Sequence, residues 1–155
     1  MLPETANAAA PRWSVLLPLA YCAHLAEEWW GGPGFSAWVH AVFGAEVSPH
    51  RFILINAVAF LFFTVGTVYA IRSSRFGWFA AALSALLFLN GALHLIATVG
   101  FATYSPGTVT GALLYLPLGG LVLWHMSHSL PGPVFARAVV AGIVAHALVA
   151  IAAFA

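Results

Sequence analysis

Five apolar stretches organise this sequence, roughly Trp13 to Trp30, Phe52 to Ile71, Phe76 to Gly100, Thr108 to Met126 and Val134 to Phe154. Each is close to the length of about 20 residues that an α-helix needs to cross a hydrocarbon core. Lipid offers no partner to a backbone N–H or C=O, so such stretches must satisfy their own hydrogen bonds as helices. The segments between them are turn-forming clusters: Gly31-Gly32-Pro33-Gly34, Arg72-Ser73-Ser74-Arg75, Tyr104-Ser105-Pro106-Gly107 and Pro131-Gly132-Pro133. Connections this tight make consecutive helices antiparallel neighbours. Only the link after the first stretch is longer. Within it, Ser36 as an N-cap and the aromatic spacing through Phe43 predict a short helix lying at the membrane interface.

Charge supports the same architecture. Only 6% of the residues are charged, against about 25% in a soluble domain, and no water-exposed surface can be built from so few. The predicted fold is an all-α integral membrane bundle of about five transmembrane helices, one domain over residues 13–155. Met1 to Arg12 lack the apolar core of a signal peptide and read as a disordered cytoplasmic tail. There is no lysine and no aspartate, hence no basic stripe for phosphates, and nucleic acid is not an expected partner. Cys22 reads as a small hydrophobe. Arginine enrichment of cytoplasmic loops orients the bundle with its amino terminus inside, since this places Arg12, Arg72, Arg75 and Arg137 together and leaves only Arg51 outside.

Against this apolar background, the polar residues inside the spans stand out. The first span carries His24, Glu27 and Glu28, which share a helical face. A charged group in mid-membrane costs about 2.5–3.5 kcal/mol on insertion scales, so two adjacent acids need compensation. Candidate partners are Asn56 in the second span, Asn90 and His94 on one face of the third, Thr110 in the fourth and His146 in the fifth. At a rise of about 1.5 Å per residue, Glu27, Asn56, His94, Thr110 and His146 fall in the same half of the bilayer, although the helices alternate in direction. That agreement predicts one shared site. Buried histidines and asparagines also bridge helices simply as structural hydrogen bonds, worth about 0.6 kcal/mol each, and for Asn56 and His146 that reading stays open. His40, His50, His125, His128 and Glu46 fall in loops or at helix ends and are expected to be solvated. The tryptophans lie mostly near span ends, as in an aromatic belt.

The motif His24-x-x-Glu27-Glu28 resembles the signature of the HXXEE domain family, small bacterial multi-span membrane proteins. Asn90-x-x-x-His94 and Ser105-Pro106-Gly107-x-x-Thr110 resemble further features of that family. The resemblance runs over most of the chain and implies a fold, a site and a bacterial plasma membrane rather than an activity.

Imidazole and carboxylate in a dry cage suit Zn²⁺ or Fe²⁺. With four acidic residues in the whole chain, two of them outside the spans, a carboxylate-rich di-iron site is excluded and one ion is the most the residues can serve. The expectation is a mononuclear site drawing ligands from His24, Glu27, His94 and His146. Glu28 is expected as general base, with Asn56, Asn90 and Thr110 completing the site. No nucleotide or flavin cofactor is indicated. The expected substrate is lipid-like or isoprenoid-like, entering from the bilayer. Two alternatives need no resident metal: an acid–base isomerase of the sterol-isomerase type, in which a Glu–His pair moves a proton, and a carrier of hydrophobic ligands or a proton or metal-ion transporter. The sparsely polar inner half of the bundle argues against a continuous transport path. Whether the small-residue faces Ala81–Ala85 and Ala141-Gly142-Ala145 serve packing or oligomerisation is open at this level.

Overall fold

The structure, a computed structural model, describes residues 8–154. It contains α1 (Leu16–Trp30), α2 (Phe35–Phe43), α3 (Pro49–Arg72), α4 (Trp78–Gly100), α5 (Thr108–Ser129) and α6 (Gly132–Phe154). Among the described residues there is no strand.

Four of these helices, α3 to α6, are long and apolar enough to cross a membrane. The first stretch differs from the five-span expectation, because α1 has 15 residues and rises only about 22 Å. A 3-10 turn at Arg12–Val15 precedes it, and Gly31 and Gly32 end it, the latter at φ +55°. The link helix α2 is present, preceded by Gly34 rather than capped by Ser36, and it stops at Gly44 in the left-handed conformation. Helix α3 starts earlier than hydropathy suggests, because Ser48 Oγ accepts from Arg51 N at 3.2 Å and Pro49 occupies the first turn.

Of the tail expected over Met1 to Arg12, residues 1–7 lie outside the described residues. The remainder is docked: Ala10 is buried and its N–H donates to Ala70 O at 2.8 Å. This bond places the start of α1 beside the end of α3, and Trp13 meets His125 edge-on near the end of α5. Arg12, Arg72, Arg75 and Arg137 therefore gather at one end of the bundle and Arg51 sits at the other.

Helix α4 is the central element. Its buried face is built from Ala80, Ala81, Ala82, Ser84 and Ala85, small side chains that admit neighbouring backbones. Helix α6 takes advantage of this at Gly142, where a Cβ would fall 2.1 Å from Ala82 O. The outward faces carry Phe62, Ile96, Val99, Leu113, Trp124 and Ile151, all exposed. An apolar surface distributed over every long helix is consistent with an integral membrane protein.

Gly142→Ala is expected to destabilise the protein by about 1–3 kcal/mol, read as a lowered unfolding midpoint in detergent. A methyl at Gly120 would meet nothing closer than 3.6 Å, so Gly120→Ala should leave the midpoint unchanged or raise it.

Candidate metal centre

The carboxy-terminal turn of α1, the second half of α4 and the start of α5 converge at the end of the bundle opposite the arginine cluster. Their meeting point is organised by Gly107. It precedes α5 at φ +106°, and a Cβ there would lie 2.7 Å from His24 Cε1 and 2.8 Å from His94 Cε1. Only glycine fits over the two imidazoles, and a residue without a side chain cannot cap the helix that follows.

Glu27 supplies the missing cap from another helix. Its Oε1 accepts from Val109 N at 2.8 Å and its Oε2 from Thr110 N at 2.6 Å, the first-turn donors that an N-cap side chain would otherwise satisfy. Tyr104 OH donates to Oε1 and Thr110 Oγ1 to Oε2, both at 2.5 Å. Four donors thus hold one half-buried carboxylate.

This cap sets the neighbouring imidazole. A carboxylate only accepts, so the Thr110 hydroxyl proton is committed to Glu27, and Thr110 Oγ1 must accept from His24 Nδ1 across their 2.8 Å contact. With the proton on Nδ1, a neutral His24 presents a bare lone pair on Nε2. That atom is buried and has no hydrogen-bond partner among the described residues. Its neighbour is Glu28 Oε1 at 3.6 Å, too far for a hydrogen bond. Across from it, His94 Nε2 lies 3.3 Å from the same oxygen, while His94 Nδ1 contacts Ser105 Oγ at 3.0 Å. Ser105 is itself pinned by Thr98 and Thr108. His24, Glu28 and His94 are all buried, and one donor atom from each lies within 4.8 Å of the others.

The structure therefore brings His24, Glu28 and His94 together and sets the other expected site residues around them. Glu27, read from sequence as a ligand, faces α5. His146, also read as a ligand, stands outside the three-donor group and approaches Asn90 Nδ2 at 3.5 Å. Asn56 accepts from Tyr21 OH at 2.7 Å and donates to Phe52 O at 2.9 Å, tying α3 to α1. Thr110 is the link between Glu27 and His24. His40 pairs with Glu46 at the surface, and His125 and His128 lie near the far end of the bundle. Sequence reasoning missed Tyr104, Tyr115 and the steric role of Gly107. Tyr115 stacks on His24 with ring centroids 4.2 Å apart; a lone phenol inside an apolar run was its one signal.

A cavity of about 140 Å³ borders the group, lined by Glu28, His24, His94, Asn90, His146 and Tyr115 among others. Beside it runs an apolar groove of about 600 Å³ between α3, α4 and α6. Ile55, Ala59, Phe63, Leu86 and Val149 line both.

The profile described as "Protein of unknown function with HXXEE motif" matches residues 15–122. The chain belongs to the HXXEE family. The match takes in α1 to α4 and the first part of α5, hence all of the His24–Glu28–His94 group, whereas His146 lies beyond it. The uncharacterized protein YrkK of Bacillus subtilis (strain 168) is 35% identical over 75 residues, covering 48% of this chain and 47% of that protein. The chain thus spans about half the length of this curated relative. No solved structure matches.

Two outcomes follow for this HXXEE protein. In Thr110→Val the committed acceptor for His24 Nδ1–H is gone, so nitrogen NMR of histidine-labelled protein dialysed against chelator should show the His24 proton no longer held at Nδ1, with His94 unchanged. At Tyr104, burial and the adjacent Glu27 carboxylate push the phenol up to about 12. The neutral form is the donor, so its contribution is intact below the ordinary value near 10 and is lost as pH rises through about 12. Tyrosinate absorbance should show this late titration moving towards the ordinary value in Glu27→Gln.

Proposed function

We propose that this protein is a membrane-embedded enzyme with a mononuclear Zn²⁺ or Fe²⁺ centre, acting on a lipid-like substrate that reaches it from the bilayer. The observation that carries the reading is the spacing of the three buried donors. Two ligands each about 2.0–2.1 Å from a tetrahedral ion stand roughly 3.3–3.4 Å apart. Glu28 Oε1 stands 3.3 Å from one imidazole nitrogen and 3.6 Å from the other. These separations are long for charge-assisted hydrogen bonds of about 2.7–2.9 Å and suit groups that share an ion. The unpartnered His24 Nε2 fits the same reading, because its lone pair is already in the ligating tautomer.

Two imidazoles and one carboxylate form the donor set of both catalytic zinc sites and non-haem iron sites. A bound ion would supply Lewis acidity towards a substrate oxygen or a water. The rest is the work of the chain. Glu28 balances part of the charge, Glu27 through Thr110 holds His24 in register, and Ser105 does the same for His94. Glu28, expected from sequence as general base, thus takes a ligand position, and Glu27, expected as a ligand, takes an orienting one. Phe35 of α2 places its ring 6.0 Å from that of His94, and α2 at the membrane interface would keep bulk water from the donors. The arginine-rich end would face the cytoplasm, and the site the outer half of a bacterial plasma membrane.

Elemental analysis of the detergent-purified protein tests this. One Zn or Fe per chain is expected in wild type and in His146→Ala, falling to background in His24→Ala, His94→Ala and Glu28→Gln that remain folded. Wild-type protein without metal would sink the metal centre and leave Glu28, between its two imidazoles, as an acid–base group.

A further inference from the structure

The end of the bundle away from the His24–Glu28–His94 group carries Arg12, Arg72, Arg75 and Arg137, all of them exposed. Among the described residues no acid belongs to that end, because Glu27 and Glu28 lie in the last turn of α1 and Glu46 follows α2. The ion pairs among the described residues involve histidine and never arginine. Glu4, the remaining acid of the chain, lies outside the described residues and can balance at most one of these arginines. Arg137 donates Nε to Pro133 O of its own helix at 3.1 Å, and Arg75 stands over the Phe76 ring at 5.7 Å. This end therefore presents uncompensated positive charge.

Position along the helices says what kind of anion fits. On α3, Tyr69, Val68 and Val65 precede Arg72 at helical spacing and are all exposed, so they share its face. On α6, Val140, Val144 and Leu148 follow Arg137 at helical spacing and are exposed as well. Each of these two arginines heads an apolar stripe on a helix long enough to cross a membrane. Trp13 and Trp124, also exposed, stand at the same end, as amphipathic rings do at head-group level. A soluble anion or an acidic protein segment would match the charge and leave the stripes unmatched. A molecule with an anionic head and hydrocarbon chains matches both.

We infer that this end of the bundle is a binding surface for anionic phospholipid, with the phosphate at Arg72 or Arg137 and the acyl chains along the stripe that each arginine heads. Guanidinium offers phosphate a planar fork of N–H donors, and each basic group near a membrane surface adds to the attraction. Arg51 supplies the contrast. It too heads an exposed stripe, Leu54 and Val58, but it shares its end of the bundle with Glu27, Glu28 and Glu46. The inference rests on the membrane placement of α3 and α6 and is independent of the metal centre.

Native mass spectrometry of the full chain, released from nanodiscs of equal parts phosphatidylglycerol and phosphatidylcholine, tests it. Wild type should retain phosphatidylglycerol in preference to phosphatidylcholine. Arg72→Gln and Arg137→Gln should each lower that preference by about fivefold, with unfolding midpoints in neutral detergent equal to wild type because both side chains are exposed. Arg72→Lys and Arg137→Lys should keep most of the preference, and Arg51→Gln should leave it unchanged. Glycerol 3-phosphate, a comparable head group without chains, should not compete. Equal retention of the two lipids by wild type, an undiminished preference in both glutamine variants, or displacement by glycerol 3-phosphate would overturn the inference, the last in favour of a site for soluble anions.

Discussion

The cap that Glu27 places on α5 is the interaction on which the site depends. The first turn of any helix carries backbone donors with no intrahelical partner, and near a membrane interior these are costly to leave open. Gly107 cannot satisfy them, because the imidazoles of His24 and His94 fill the space where its side chain would be. The carboxylate of α1 therefore does so, and in reaching Val109 N and Thr110 N it docks α1 onto the α4–α5 turn. The same contact commits the Thr110 hydroxyl, which in turn settles which nitrogen of His24 carries the proton. Packing, capping and site chemistry are one linked set of bonds here.

A second constraint is the close approach of backbones around α4. Alanine and serine on its buried face let α5 and α6 come near, and Gly142 brings α6 against Ala82. The groove between α3, α4 and α6 runs alongside this close contact, and Ala82 and Gly142 are themselves part of its wall. The close contact and the groove are therefore parts of one arrangement. The π-turn in α5 adds a local adjustment, aiming the Tyr115 ring at His24 while its hydroxyl stays unpaired.

Much of this was legible in the chain. Hydropathy and turn clusters located the long helices α3 to α6, since burial in lipid imposes a length that sequence displays directly. The common depth of Glu27, Asn56, His94, Thr110 and His146 was also legible, because rise per residue is a fixed property of the helix. Less legible was the first stretch, whose apolar run is longer than its regular α-helix. Hydropathy reports solvent preference, not where the 3-10 turn gives way to α-helix. The docked segment around Ala10 carries no sequence signal, because a backbone hydrogen bond to Ala70 does not depend on side-chain type.

What the sequence determined by itself was which residues are available to one another: their helices, their faces and their depth, all consequences of helical geometry and the thickness of lipid. What only tertiary structure decided was the division of labour among them. Glu27 and Glu28 are adjacent and chemically identical, and successive positions on a helix point about 100° apart. One therefore meets the donors of α5 and the other meets two imidazoles. That outcome depends on which helix lies against each face, and only the packed bundle contains that information.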